Sequence, residues 1–201
     1  MNRLAIALER VRSQLDRLDL HWAVIGGLAL AVRAEPRQTR DIDIAIAVED
    51  DAQAEAAVRS LTDGGLLFVD EGVLEQTAVG RLATVRLEVP ATHADDRVPV
   101  DLFFSSSCVE SELVAAAERL EVLPGLSLPV ATTGFLIALK VLAGRLQDLA
   151  DVDSLLRRAT TSDVDEARQV IGWITARGCH RGSDLAAVLE RRMRGAPEPG
   201  P

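Results

Sequence analysis

Apolar residues recur at a helical period near the start of the chain, at Leu4, Ile6, Leu8, Val11, Leu15 and Leu18, with charges between them. That is the pattern of an amphipathic helix over Leu4 to Leu18. A short apolar run, His21 to Ile25, suits a first buried strand. Gly26-Gly27 turns the chain, Leu28 to Ala34 is Leu/Ala-rich and helix-forming, and Pro36 ends that helix. Arg40 to Val48 reads as a second strand. Side chains alternate along it, so Asp41 and Asp43 share one face while Ile42, Ile44 and Ile46 point the other way. Asp50 or Asp51 caps a helix to about Leu61, Asp63-Gly64-Gly65 stops it, and Leu66 to Val69 is a short strand. Glu71 to Gly80 carries no clear period. Arg81 to Pro90 alternates, with Leu82, Val85, Leu87 and Val89 against Thr84, Arg86 and Glu88. Val98 to Phe104 is apolar again. Residues 81–104 therefore read as a hairpin turning through the polar stretch Ala91 to Arg97.

The second half is helical. Val109 to Leu120 reads as a helix, and Glu121 to Val130, with Pro124-Gly125 and Pro129, as a connector with at most one short strand. Thr132 or Thr133 caps a helix running from Phe135 to Leu146 or beyond. Leu155 to Ala159, Val164 to Arg177 and Ser183 to Met193 are further amphipathic segments. Ser162 with Glu166, and Ser183, are start signals, and Trp173 and Ile174 are core candidates. Gly195 to Pro201 is composed as a disordered tail. The expected fold is α/β (α+β): a small mixed sheet flanked by helices, then a helical half. The division is 1–130, 131–194 and a tail at 195–201, with substrate in the cleft between the first two.

Composition narrows the function classes. A chain of 201 residues with 48% hydrophobic and 26% charged residues can bury a real core. No apolar run is long enough to span a membrane, and the charged N-terminus argues against a signal peptide. The expected setting is the cytoplasm. Cys108 and Cys179 lie far apart, in no metal-ligand spacing, and read as reduced thiols. His21, His93 and His180 are scattered, which argues against a zinc site. The net charge of −9 opposes non-specific attraction to nucleic acid. It is uneven, however: residues 151–201 hold 8 basic and 8 acidic side chains, so the excess acid lies in the first 150. Arg33, Arg37 and Arg40 flank the Asp pair, and Arg191, Arg192 and Arg194 lie near the end. Aromatics are 3% and tyrosine is absent, so base stacking on aromatic platforms is not the expected recognition mode. Lys140 is the sole lysine, a compact ammonium in a chain that otherwise uses arginine.

The candidate chemistry centres on residues 22–48. Strand, glycine turn and helix N-terminus form a ready anion site. Two carboxylates roughly 7 Å apart on one strand face repel each other and call for a cation. Mg²⁺, which takes carboxylate and phosphate oxygens, is the natural one. Asp101, inside Val100-Asp-Leu-Phe-Phe104, is a further carboxylate that is expensive to bury without a partner; the bland alternative is an edge-strand acid facing water.

Gly26-Gly27 followed by Arg37-x-Thr39-x-Asp41-Ile42-Asp43 resembles the nucleotidyltransferase superfamily with a polymerase-β-like fold, above all the AbiE-type (type IV) toxin nucleotidyltransferases and their mycobacterial relatives. Leu139-Lys140, Ala143, Arg145, Asp148-Leu149 and Asp151 resemble a second, helical motif of that family, with Gln147 where a basic residue is common. The resemblance implies a nucleotidyltransferase whose nucleotide contacts are Gly26, Gly27, Arg37, Thr39, Lys140 and Arg145. It makes Asp101 the third carboxylate, as general base or as ligand with Asp41 and Asp43 of two Mg²⁺ ions. Lys140 would neutralise phosphates, and Asp148 would sit near the attacking hydroxyl or position Lys140. On one straight helix Lys140 and Asp148 would be about 80° and roughly 12 Å apart. They can serve one cleft only if the helix breaks, for instance near Gly144, or if they act at its two ends.

The expected reaction moves an NMP from a nucleoside triphosphate to an acceptor hydroxyl. From the resemblance alone, that acceptor is RNA, at the 3′ end of tRNA, and the protein is a toxin with a cognate antitoxin. One alternative keeps the chemistry and modifies a protein hydroxyl or a small molecule such as an aminoglycoside. Another is a non-catalytic nucleotide-binding module.

Overall fold

The computed structural model describes residues 3–35, 39–68, 84–91, 96–104 and 107–195. Residues 36–38 with Arg37, residues 69–83, residues 92–95 with His93, residues 105–106 and residues 196–201 lie outside the described residues. Helix α1 (Arg3–Arg17) buries Leu4, Ala7, Leu8, Val11 and Leu15, the stripe that its period requires. Strand β1 (Trp22–Val24) is buried throughout, and α2 (Gly26–Arg33) starts one residue after Ile25. Strand β2 (Ile42–Ile46) sends Ile42, Ile44 and Ile46 wholly into the core. Helix α3 (Asp51–Asp63) is capped by Asp50, whose carboxylate accepts the Gln53 N–H at 2.8 Å. Then come β3 (Leu67–Phe68), β4 (Thr84–Pro90) and β5 (Arg97–Phe103).

The described strands form one mixed sheet in the order β3-β4-β5-β2-β1-β7-β6, completed by β6 (Glu118–Leu123) and β7 (Leu126–Val130). Strands β2 and β5 run parallel, as do β1 and β7; the other pairs are antiparallel. The expected hairpin of residues 81–104 is present as β4–β5, with Val85, Leu87 and Val89 buried.

Residues 109–130 differ from expectation. The helix stops early, as α4 (Glu110–Ala116), and residues 118–123 pair with 126–130 as a hairpin. Pro124-Gly125 is its turn, with Gly125 at φ +78, the sign that glycine after proline supplies in a type II turn. Glu, Arg and Leu at 118–120 are acceptable in a helix. Pairing decides otherwise, because β7 docks beside β1 with Val24 opposite Val130 and offers β6 an edge.

Four helices follow: α5 (Thr133–Ala143), α6 (Leu146–Leu156), α7 (Thr161–Ala176) and α8 (Leu185–Met193). Thr132 caps α5. The expected segment Leu155 to Ala159 is not a helix of its own: Leu155 and Leu156 finish α6. The start signals also shift. Thr160 and Asp163 form the capping box of α7 in place of Ser162 and Glu166, and Asp184, not Ser183, caps α8. Glu166 instead accepts the Thr132 hydroxyl at 2.5 Å, joining the starts of α5 and α7. Ile174 is buried as expected, and the Trp173 ring lies 6.4 Å from that of Phe135.

The cysteines are not free thiols. Cys108, before α4, and Cys179, after α7, form a disulfide with their Cα atoms 6.3 Å apart. A sequence separation of 71 residues conceals the pairing. Arg177 braces the same corner, donating to the Cys108 carbonyl and to Glu112, each at 2.5 Å.

Candidate active site

The turn between β1 and α2 is built around contact with β2. Ile25 N–H donates to the Asp43 carbonyl at 2.9 Å. Gly26 then takes φ +61, which only glycine adopts freely. A Cβ on Gly26 would fall on the Asp43 carboxylate, and one on Gly27 would come within 2.7 Å of Thr39 Oγ1. Close approach therefore favours glycine at both positions, and at Gly26 the positive φ requires it as well. The Gly27 N–H donates to Asp43 Oδ2 at 3.4 Å, so the first turn of α2 faces the acidic pair. Thr39 donates its hydroxyl to Asp41 Oδ1 at 2.7 Å, fixing that carboxylate.

Register gathers the acids. In the parallel pair β2–β5, Asp43 lies opposite Asp101; in the antiparallel pair β4–β5, Asp101 lies opposite Arg86. Three adjacent strands thus set Arg86, Asp101 and Asp43 in a row on one sheet face, with Asp41 two residues from Asp43 on that face. One carboxylate oxygen from each of Asp41, Asp43 and Asp101 lies within 4.8 Å of the others, close enough to share a metal ion. All-oxygen, anionic donors match a hard divalent cation rather than a thiophilic metal. Asp101 sits on an interior strand and is buried, not an edge acid facing water. It is bound side-on by Arg86, with Nε to Oδ1 at 2.7 Å and Nη2 to Oδ2 at 2.6 Å.

The electrostatics follow from crowding. Burial first, then repulsion from Asp41 and Asp101, pushes the Asp43 carboxyl up to about 6, against the Gly27 amide and the Lys140 charge. The hydrogen bonds to Asp101, then its charge and those of Asp41 and Asp43, raise the Arg86 guanidinium further above its usual range.

A second cluster forms where α5 gives way to α6. Gly144 at φ +67 caps α5 in the left-handed conformation, and α6 restarts after Arg145. The break folds Asp148 and Asp151 back onto Lys140, whose Nζ lies 2.9 Å from Asp148 Oδ1 and 2.9 Å from Asp151 Oδ2. Arg145 Nε adds a bond of 2.6 Å to Asp148 Oδ2. Burial works to raise the Asp148 carboxyl, but the hydrogen bonds from Arg145 and Lys140 outweigh it and hold the group below the usual range. Helix α2 packs against both α5 and α6, and the charge of Asp43 helps to raise Arg145. The two clusters therefore sense each other.

The sequence model of one protein family, "Nucleotidyl transferase AbiEii toxin, Type IV TA system", matches residues 7–195. The chain belongs to the AbiEii family. Comparison with curated proteins finds no match. Among solved structures, the lincosamide antibiotic adenylyltransferase LnuA bound to lincomycin is 13% identical, covering 74% of this chain and 94% of its own at TM-score 0.46. The antibiotic-resistance factor ANT(2'')-Ia is 17% identical, covering 97% and 96% at TM-score 0.46. JHP933 from Helicobacter pylori is 12% identical, covering 94% and 88% at TM-score 0.46.

As an AbiEii nucleotidyltransferase, the chain acts on a nucleoside triphosphate and belongs with toxins of toxin–antitoxin systems. Its residues at the expected positions form two groups. Gly26, Gly27, Thr39, Asp41, Asp43 and Asp101 lie together at the β1–α2 turn, and Lys140, Arg145 and Asp148 form the second cluster. Arg37 lies outside the described residues. Two members were missed by sequence reasoning. Asp151 stands in the quoted helical motif, three residues after Asp148, where one helical face was the available signal. Arg86 carried no local signal; only the hairpin register puts it on Asp101.

Proposed function

We propose that this AbiEii family member transfers an NMP from a nucleoside triphosphate to the 3′ end of tRNA, in the cytoplasm, with two Mg²⁺ ions held by Asp41, Asp43 and Asp101. The observation that carries the reading is the meeting of those three carboxylates within 4.8 Å, beside the glycine turn and first helical turn of α2. Bound there, the metal would neutralise the phosphates and polarise the α-phosphorus for attack.

The chain's own residues take the remaining parts. The Gly26-Gly27 backbone lets the triphosphate approach the N-terminus of α2. Thr39 orients Asp41. Arg37 and Arg145 bind phosphates on the flanks. An ammonium has three donors; Asp148 and Asp151 take two of those of Lys140, and the third is directed to phosphate. Asp148, ionised and held by two cations, serves to position Lys140. Asp101, gripped by Arg86, is a ligand in this reading and not a base. The acceptor hydroxyl oxygen bonds to the α-phosphorus as the bond to pyrophosphate breaks and its proton passes to water, in the cleft between residues 1–130 and 131–194.

An RNA acceptor is supported by the arginines of the helical half. Arg157, Arg192 and Arg194 line a cavity of about 710 Å³ at the ends of α6 and α8, with Arg158 and Arg191 adjacent in sequence; Asp153 shares that lining and pairs with Arg192, and Glu35 pairs with Arg157. Among the described residues no helix is long and apolar enough to cross a membrane.

The test is a labelling reaction with each α-labelled nucleoside triphosphate, Mg²⁺ and total RNA, comparing wild type with Asp43→Ala. Label in tRNA-sized RNA from wild type only supports the proposal and names the nucleotide. Label on protein or on a small cationic acceptor would replace the acceptor. Equal labelling by Asp43→Ala would sink the site assignment.

A further inference from the structure

The side-on bond between Arg86 and Asp101 engages both oxygens of one of the three carboxylates that could share a cation. The two partners differ in exposure: the Arg86 side chain is 56% exposed and that of Asp101 only 12%. The acid is fixed in the sheet, whereas the guanidinium lies at the surface of the site, on a long stem with room to turn. The row Arg86–Asp101–Asp43 across three strands places the guanidinium next to the acidic group and on the same sheet face. Lys140 and Arg145, which also interact with Asp43, are already held in the second cluster, Lys140 by Asp148 and Asp151 and Arg145 by Asp148. A guanidinium in this position partly neutralises a site that three carboxylates would otherwise leave strongly negative. An arriving divalent ion meets that charge as an opponent. A triphosphate meets it as a partner, since the planar fork fits phosphate oxygens as well as carboxylate oxygens.

We propose that Arg86 is the resident counter-cation of the acidic trio, held on Asp101 in the ligand-free protein and transferred to the triphosphate of the nucleotide when a divalent cation takes its place. The inference rests on the metal-dependent reading above. Metal and nucleotide then bind cooperatively, because each relieves what the other disturbs, and the coupling is the same seen from either ligand. Divalent cation alone binds weakly, which keeps the site from filling before substrate arrives. A merely structural role predicts the reverse, because loss of the clamp on Asp101 would loosen a ligand and weaken metal binding.

The experiment measures Mn²⁺ binding by calorimetry to full-length wild type, Arg86→Gln and Asp43→Ala, without nucleotide and then with a non-hydrolysable α,β-methylene triphosphate. Arg86→Gln is expected to bind Mn²⁺ alone about tenfold more tightly, ~1.4 kcal/mol. It should bind the analogue in the presence of Mn²⁺ about tenfold more weakly, so that the coupling between the two ligands shrinks. Arg86→Lys, which keeps the charge without the fork, should fall between them and gives the same comparison if the glutamine variant unfolds. Mn²⁺ binding that is unchanged or weaker in Arg86→Gln, while wild type binds and Asp43→Ala does not, overturns the role of Arg86 and leaves the metal site standing. Absence of Mn²⁺ binding to wild type, with or without analogue, overturns both.

Discussion

Asp43 carries conflicting demands. Its carboxylate accepts the Gly27 N–H, fills the space that a Cβ on Gly26 would need, and faces Asp41 and Asp101. Its carboxyl is raised from 3.8 to about 6, so the folded protein binds a proton there more tightly than the unfolded chain does. Below pH 3.8 both states are protonated and the group imposes no penalty; as pH rises through about 6 the buried carboxylate ionises and stability falls. Asp43→Asn removes that cost. Without divalent cation, the variant should be more stable than wild type at pH 7 by roughly 2–3 kcal/mol. The advantage should fade towards pH 4, as read by thermal melting across that range. Added Mg²⁺ should raise the Tm of wild type and not that of the variant, and the variant should lose transfer. A variant less stable than wild type at pH 7 would show that the carboxylate is already compensated.

Among the elements, the interrupted α5–α6 pair decides whether the second cluster exists. Continued as one helix, Lys140 and Asp148 would be about 80° and roughly 12 Å apart; the left-handed residue at Gly144 brings them to 2.9 Å. Gly144→Ala should cost ~1–2 kcal/mol from the positive φ. It should also lower labelling by about tenfold or more as α5 tends to run on, while Gly144→Asn, which tolerates that conformation, keeps most of the activity. Equal activity in the two variants would mean that the break is not needed. This junction was legible beforehand because a motif required two residues to meet and one glycine offered the means. The Asp41/Asp43 face and the Val85-Leu87-Val89 stripe were legible because strand alternation writes them locally. Strand β6 was not: Glu118-Arg119-Leu120 suits either state, and the pairing that decides it comes from the strand that follows. Arg86 stayed hidden for the same reason, since cross-strand register is not a local property. The caps of α7 and α8 were misplaced by one or two residues, because Thr160-Thr161-Ser162 and Ser183-Asp184 offer several competent side chains in succession.

For the molecule as a whole, charge and connectivity matter more than any single contact. A net charge of −9 repels polyanions, so a nucleic-acid acceptor must be met locally. Arg194→Glu, at the exposed end of α8, should weaken RNA binding and lower the steepness of its salt dependence by about 1 unit. Binding of the nucleoside triphosphate should be unchanged. An unaltered salt slope would remove the arginine-lined end from the acceptor path. Connectivity has its own consequence. The bond between Cys108 and Cys179 closes a ring of chain that contains Lys140, Arg145, Asp148 and Asp151, while Asp41, Asp43 and Asp101 lie outside it. Arg157 and Arg158, exposed in the turn between α6 and α7, are the natural place for trypsin to open that ring. A single cut there leaves both fragments joined: nicked protein should migrate as one species without reductant and as two with it, and the reduced fragments would be free to part, releasing α7 and α8 from a piece that carries both halves of the site.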